Sequence, residues 1–126
     1  MNTKDLAEYC FGKLGATMDH PFGPELDVYR VGGKIFALLY EQEDGIANIR
    51  LKCDPALADL LRQKHAAVTP GYHMNKLHWN SVHCDGSIDD DEIYGYIDHS
   101  HDLIMKSLTK KVREQLSAGD CGSSLQ

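Results

Sequence analysis

Residues 70–83 concentrate the side chains that are able to do chemistry. They read PGYHMNKLHWNSVH and contain the only tryptophan, three of the seven histidines, two asparagines and one lysine, with no carboxylate. Such residues supply hydrogen bonds, one positive charge and a flat ring for stacking. The segment is therefore open to three interpretations: a nucleic-acid surface, a pocket for a polar small molecule, or a loop whose aromatic ring only closes the core.

The distribution of charge supports the first interpretation more than the total does. The chain carries a net charge of −6, whereas phosphate-binding domains are usually basic. Residues 45–84, however, contain five cations and two carboxylates, which gives this stretch a local charge of +3. One positive face on an acidic body is a hypothesis that this asymmetry permits, and chance placement of charge is the other explanation.

Length and composition limit the class of protein. A chain of 126 residues has room for one domain with one core. No apolar run approaches the roughly 20 residues that span a bilayer, and no secretory signal is visible, so we expect a cytoplasmic protein without membrane contact. Cys10, Cys53, Cys84 and Cys121 lack the spacing of zinc or redox motifs and are expected to be free thiols.

The elements that position the segment begin with a helix that Asn2 or Thr3 caps and that Gly15 ends. Two β-rich runs on either side of Gly32-Gly33 then predict a hairpin.

A third strand is predicted over residues 46–53. Alternation along this strand places Asn48, Arg50 and Lys52 on one solvent-facing side. Asp54-Pro55 then predicts the start of a second helix, because aspartate accepts hydrogen bonds from free N–H groups and proline at the first position gives up a donor without a partner.

The last predicted element is a helix of about 25 residues that starts at Asp89, with Glu92 completing a capping box. One apolar stripe defines it: Ile93, Ile97, His101, Ile104, Leu108, Val112 and Leu116. Residues 1–117 are predicted to form a single domain, and residues 118–126 a flexible tail. The order of elements indicates an α+β fold, a two-layer sandwich in which an antiparallel sheet carries helices on one face.

Several motifs together resemble the MmcQ/YjbR family of small bacterial proteins. They are Asp19-His20-Pro21-Phe22-Gly23, Val31-Gly32-Gly33-Lys34-Ile35-Phe36-Ala37, Leu51-Lys52-Cys53-Asp54-Pro55, and Pro70-Gly71-Tyr72-His73-Met74-Asn75-Lys76 with His78-Trp79-Asn80. The resemblance covers nearly the whole chain to the end of the last helix. It implies a frataxin-like (CyaY-like) fold and a DNA-binding role in which projecting hairpin loops act as wings, and it implies no catalytic activity.

The residue types that DNA binding needs are present, since cations meet phosphates while asparagine, histidine and aromatic side chains add hydrogen bonds or stacking. The candidate DNA-binding residues are Lys34, Arg50, Lys52, His73, Asn75, Lys76, His78 and Trp79. If about four cations touched phosphates, affinity would fall roughly 100-fold between 50 and 200 mM salt. We expect no catalytic residue, metal or cofactor, and we favour a monomer.

A second functional class also fits the residues of this segment. A non-catalytic module could bind a small anion or a peptide between Tyr72, His73, Asn75, Lys76 and Trp79. Such a pocket would be deep, whereas a DNA surface would be flat or convex.

Catalysis and metal binding have weaker support from the sequence. Ser81 or Cys84 beside a histidine lacks any nucleophile motif. A metal site from His73, His83, Cys84 and Asp85 has no recognised spacing. The first helix offers only Asp5 and Glu8 in place of a frataxin-type acidic ridge, which disfavours iron handling.

Overall fold

The described part of the chain contains four helices and six strands. The computed structural model describes residues 2–71 and 75–125, with side chains described up to residue 117. In chain order the elements are α1 (Thr3–Phe11), β1 (Thr17–Asp19), β2 (Asp27–Val31), β3 (Lys34–Glu41), β4 (Ala47–Lys52), α2 (Pro55–Lys64), β5 (Val68–Pro70), β6 (Trp79–His83), α3 (Asp90–Ser107) and α4 (Lys110–Leu125).

All six strands form one antiparallel sheet in the order β1-β2-β3-β4-β6-β5. Residues paired across antiparallel strands point to the same side, so the register defines two faces. Ile49 lies opposite Leu39 and Val82, and all three are buried in the core that the helices cover. Arg50 lies opposite Leu38 and Ser81 on the other side, which we call the helix-free face.

The helices supply the second layer of the predicted α+β sandwich. Leu6 of α1 and Ile93 and Ile97 of α3 are at most 1% exposed and join the same core as Ile49. Helix α2 reaches this core through Leu61. An α+β fold with an antiparallel sheet and helices on one face is thus confirmed.

The predicted local signals act as expected at most element ends. Asn2 Oδ1 accepts a hydrogen bond from the Asp5 N–H at 2.8 Å, and Asp54 Oδ1 accepts one from the Ala56 N–H at 3.1 Å. The Gly32-Gly33 hairpin is confirmed, with both glycines at positive φ. The predicted end of α1 at Gly15 is wrong.

Helix α1 ends at Phe11 because the chain turns immediately afterwards to reach strand β1, which was not predicted. Gly12 is the C-cap, and the Lys13 N–H donates to the Cys10 carbonyl in a tight turn. Strand β1 then pairs with β2 at the edge of the sheet.

The predicted single helix from Asp89 is also wrong, because the chain breaks at Leu108 and Thr109 into α3 and α4. Leu108 has an extended backbone, with ψ at 155°, and its side chain packs on Gly32. A Cβ on Gly32 would lie 2.6 Å from Leu108 Cδ1, so the hairpin and this break fit closely. Thr109 Oγ1 then accepts a hydrogen bond from the Val112 N–H and caps α4.

Helix α4 carries the last two residues of the predicted apolar stripe, Val112 and Leu116, which pack against the core. Leu116 reaches Gly15 and is partly buried against the core. The helical backbone continues to Leu125, through the residues for which a tail was predicted. Within the described residues, no helix has both the length and the apolar character needed to cross a bilayer.

Candidate nucleic-acid interface on the helix-free sheet face

The pairing of β4 with β6 assembles the candidate site. Lys52 lies opposite Trp79, Arg50 opposite Ser81, and Asn48 opposite His83. Side chains at directly paired positions have Cβ atoms roughly 5 Å apart. Two of the predicted DNA-binding cations and the single tryptophan therefore lie together on the helix-free face.

Ser100 of α3 fixes the end of β4 where Lys52 stands. The serine is fully buried; its hydroxyl donates to the Phe36 carbonyl of β3 at 2.6 Å and accepts from the Lys52 N–H at 2.9 Å. The regular pairing of β3 with β4 stops one position earlier, at Ala37 and Leu51. The hydroxyl thus bridges the Lys52 N–H and the Phe36 carbonyl, in place of a direct hydrogen bond between the two strands. This bridge fixes the backbone position of Lys52.

Arg62 of α2 donates hydrogen bonds to the connection between β5 and β6 from the side of the sheet that the helices cover. Its Nε donates to Asn80 Oδ1 at 2.6 Å, and its Nη2 donates to the carbonyls of Trp79, at 3.2 Å, and Lys76. Asn80 is buried and donates back to the Ala58 carbonyl. Arg62, which contributed to the local charge of +3, is therefore an anchor for the loop and lies away from the helix-free face.

The loop that Arg62 anchors presents several of the predicted residues. Asn75 and Lys76 are exposed, and Asn75 Oδ1 accepts a hydrogen bond from the Leu77 N–H at 2.9 Å. His78 is half-buried, and its carbonyl accepts from the Cys53 N–H. His73 lies outside the described residues.

Lys34 lies apart from the other candidates. Its ammonium group donates to the hydroxyl of Ser107 at 3.2 Å and to the carbonyl of Ser107 at 3.4 Å. Ser107 ends α3, where free carbonyls and the negative end of the helix dipole attract a cation. Lys34 thus contacts the layer of helices, and Arg50, Lys52 and Lys76 are the candidate cations at or beside the helix-free face.

A groove beside Arg50 is lined by residues that are not among the predicted DNA-binding residues. The loop between β1 and β2 reaches past β3, and its residues 22–26 line the groove together with Tyr40 and Arg50. The Arg50 guanidinium carbon lies 5.2 Å from the centre of the Tyr40 ring, a cation–π distance. Phe22 is 66% exposed. The sequence does contain one signal for this groove, an aromatic residue in a loop rich in proline and glycine. Such a loop lies on the surface, so its aromatic ring is available to a ligand.

Three histidines outside the loop have internal partners. His83 Nδ1 lies 2.6 Å from Gln42 Oε1, which also accepts from Asn48. His99 Nε2 accepts from the Asp54 N–H, and His101 Nε2 donates to the Leu14 carbonyl. Burial lowers the pKa of His101. These contacts stabilise element ends and the core edge.

The described thiols are poor nucleophiles. Cys10, Cys53 and Cys84 are free and buried, which confirms the expected thiol state for these three. Burial raises the pKa of Cys10 to about 12 and the pKa values of Cys53 and Cys84 to about 11. At neutral pH they are protonated, so Cys84 beside His83 offers little thiolate.

The carboxylates near the start of α3 have a structural explanation. Glu92 accepts a hydrogen bond from the Tyr96 hydroxyl and lies 2.8 Å from His65 Nε2. The bond from Tyr96 is the main reason why the pKa of Glu92 is lowered. Asp90 and Asp91 stand with it in the first turn, where the helix dipole favours negative charge. Among the side chains described, no group of three histidine, cysteine or acidic residues is arranged to hold a metal ion.

Comparison with known proteins places the chain among bacterial relatives of similar length. The family model YjbR matches residues 12–103. Protein YjbR of Escherichia coli K12 is 36% identical over 116 residues, which cover 92% of this chain and 98% of the relative. Protein YbdF of Escherichia coli O157:H7 is 40% identical over 99 residues, with 79% and 80% covered.

Two solved structures share the fold. The crystal structure of a Deinococcus radiodurans protein with the domain DUF419 matches with a TM-score of 0.84 and 31% identity, covering 92% of this chain and 88% of that one. A Pseudomonas syringae protein matches with a TM-score of 0.72 and 32% identity, covering 82% and 98%. The names of these four proteins state no ligand or reaction.

Proposed function

This chain belongs to the YjbR family, and from the geometry of its helix-free face we propose that it is a non-catalytic DNA-binding protein. The observation that carries the proposal is the register of β4 and β6, which puts Arg50, Lys52 and Trp79 on one face that the helices leave uncovered. Positive charge beside an aromatic ring is the combination that binds a phosphate backbone together with its bases.

Two connections flank this face and fit the wing-like role that the family resemblance implies. The loop with residues 22–26 borders Arg50 on the β3 side. The turn with Asn75 and Lys76 leads into β6 and ends beside Lys52. A strand of DNA that followed β4 and β6 would pass between the two connections and meet Arg50, Lys52 and Lys76.

Charge on the molecule is only partly separated from this surface. One acidic cluster lies on the layer of helices, at the start of α3 with Asp90 and Asp91, whereas Glu25 lines the groove beside Arg50. A net charge of −6 limits nonspecific attraction to DNA, so binding depends on the few cations at the helix-free face. Three phosphate contacts predict a decrease in duplex affinity of about 40-fold between 50 and 200 mM salt, smaller than the decrease for four cations.

The experiment is a fluorescence anisotropy titration of a labelled DNA oligonucleotide, in single-stranded and duplex forms, across a salt series. The double variant Lys52→Ala/Lys76→Ala is expected to bind about ten-fold more weakly, and its plot of log affinity against log salt should be shallower by about one unit for each cation removed. The physical reason is that the variant loses two phosphate contacts while its fold stays unchanged.

The matched control is Lys34→Ala/Lys106→Ala, which removes two cations from the layer of helices. Lys34 contacts the end of α3, and Lys106 pairs with Asp102 on the exposed side of that helix. Its affinity should stay within about two-fold of the wild type, since neither cation faces β4 or β6. Equal losses in both double variants, or no salt-dependent binding by the wild type, would reject the proposal.

The remaining parts of the proposal follow from the family resemblance. The fold is proposed to be frataxin-like (CyaY-like), supported by the antiparallel sheet with helices along one face. DNA binding implies a cytoplasmic location. The second candidate, a pocket for a small anion or peptide, includes Tyr72 and His73, which lie outside the described residues.

A further inference from the structure

We infer that the groove beside Arg50 holds an unpaired nucleobase, so that the protein binds single-stranded DNA more tightly than duplex. This inference rests on the proposed DNA-binding function and names the form of DNA. The groove lies on the same face as Lys52 and Trp79. Arg50 lines the groove, and it is two positions from Lys52 on β4, so both side chains point to that face. Bound DNA on that face would therefore run past its opening.

The size of the groove suits one ring system. Its volume is about 270 Å³, just under the range of about 300–1,000 Å³ for pockets that enclose drug-sized ligands. Residues 22–26, which we call the wall, line the groove together with Tyr40 and Arg50. A single base fits such a site, whereas a base pair inside a duplex hides both ring faces in the stack.

The lining has the chemistry that a base requires. Phe22 and Tyr40 offer aromatic rings, and Arg50 lies over the Tyr40 ring as a planar cation able to hydrogen-bond or stack. Glu25 adds a carboxylate that can accept a hydrogen bond from an exocyclic amino group. The Glu25 carboxylate would repel a phosphate inside the groove, so this mixed lining favours the base there. Arg50, with five N–H donors, can contact that base and the adjacent phosphate together.

The wall is held in place before any ligand arrives. His20 Nε2 lies 2.8 Å from Asp27 Oδ1, and the Tyr29 hydroxyl donates to the other oxygen of Asp27. This contact joins the two ends of the loop. Inside the loop, the Gly23 N–H donates to the His20 carbonyl. A preformed wall lowers the entropy cost of ordering a loop around a base.

Phe22 is the residue on which the inference is tested, because its ring is exposed and contributes little to the core. The same labelled oligonucleotide is titrated as a single strand and as a duplex in anisotropy measurements. Wild type is expected to bind the single strand more tightly, and Phe22→Ala to lose about ten-fold in single-strand affinity with duplex affinity unchanged within about two-fold. Phe11→Ala is the matched control. Phe11 is a comparably exposed phenylalanine at the end of α1, 59% exposed against 66% for Phe22, and its replacement is expected to change neither affinity.

The outcomes separate this inference from the proposed function. If Phe22→Ala keeps wild-type affinity for the single strand while Lys52→Ala/Lys76→Ala weakens it, the groove does not hold a base and the proposed function stands. Tighter binding of duplex by the wild type also overturns the inference alone. If the wild type binds neither form in a salt-dependent way, both fail. Circular dichroism of Phe22→Ala establishes that the variant is folded before affinities are compared.

Discussion

Ser100→Ala is expected to lower the free energy of unfolding by about 2–4 kcal/mol, a large effect for the loss of one oxygen atom. The serine hydroxyl is the partner of the Phe36 carbonyl and of the Lys52 N–H, and the site is fully buried. Alanine leaves both backbone groups buried without this partner, and each such group costs about 1–3 kcal/mol. Urea denaturation followed by circular dichroism measures the change.

Ser107→Ala provides the control on the same helix. Its hydroxyl also donates to a carbonyl, that of Ile104, but the residue is exposed and water can replace the bond. Its expected change is about 0.5 kcal/mol. If Ser100→Ala were as stable as Ser107→Ala, the Phe36 carbonyl and the Lys52 N–H would have to find other partners, for example each other. Helix α3 would then have no role in positioning Lys52.

Arg62→Met is expected to lower stability by about 2–4 kcal/mol and to weaken DNA binding as well. Methionine keeps the apolar stem of the side chain and removes the donors to Asn80, Trp79 and Lys76. The buried oxygen of Asn80 then loses its partner, and the loop before β6 loses its attachment to α2. Urea denaturation gives the stability, and anisotropy gives the affinity.

Lys64→Met removes a cation from the same helix and separates the two possible causes. Lys64 is exposed at the last turn of α2, and its replacement should change stability by no more than about 0.5 kcal/mol. Its affinity for DNA should match that of the wild type. If Arg62→Met and Lys64→Met behaved alike in both measurements, Arg62 would be an ordinary surface cation and the loop would not depend on it.

The fold was predictable wherever a local signal decides the structure. Gly32-Gly33 specified a hairpin because both positions need positive φ, and Asp54-Pro55 specified a helix start. The break between α3 and α4 was missed because Leu108 and Val112 continue the apolar spacing. The contact that favours the break, between Leu108 and Gly32, joins residues far apart in sequence.

The site was predictable only in part, for the same reason. Alternation along β4 predicted that Asn48, Arg50 and Lys52 share one solvent-facing side. The register confirms the shared side, but Asn48 is buried and the two cations are half-buried. The partner of each cation is a long-range property, so a count of charges could not separate Arg62, which binds backbone carbonyls, from Lys76, which is exposed. The groove also escaped prediction, since it forms only when residues 22–26 reach past β3.

The most direct test of the account is a titration of ¹⁵N-labelled protein with a DNA oligonucleotide, followed in two-dimensional NMR spectra. We predict that the shifting amide signals belong to β4, β6, the turn at Asn75 and Lys76, and residues 22–26, together with the indole signal of Trp79. Signals from the exposed side of α3 near Asp102 and Lys106 should stay in place. Shifts that map to the layer of helices, or spectra that do not change, would contradict the assignment of the helix-free face as the surface that binds DNA.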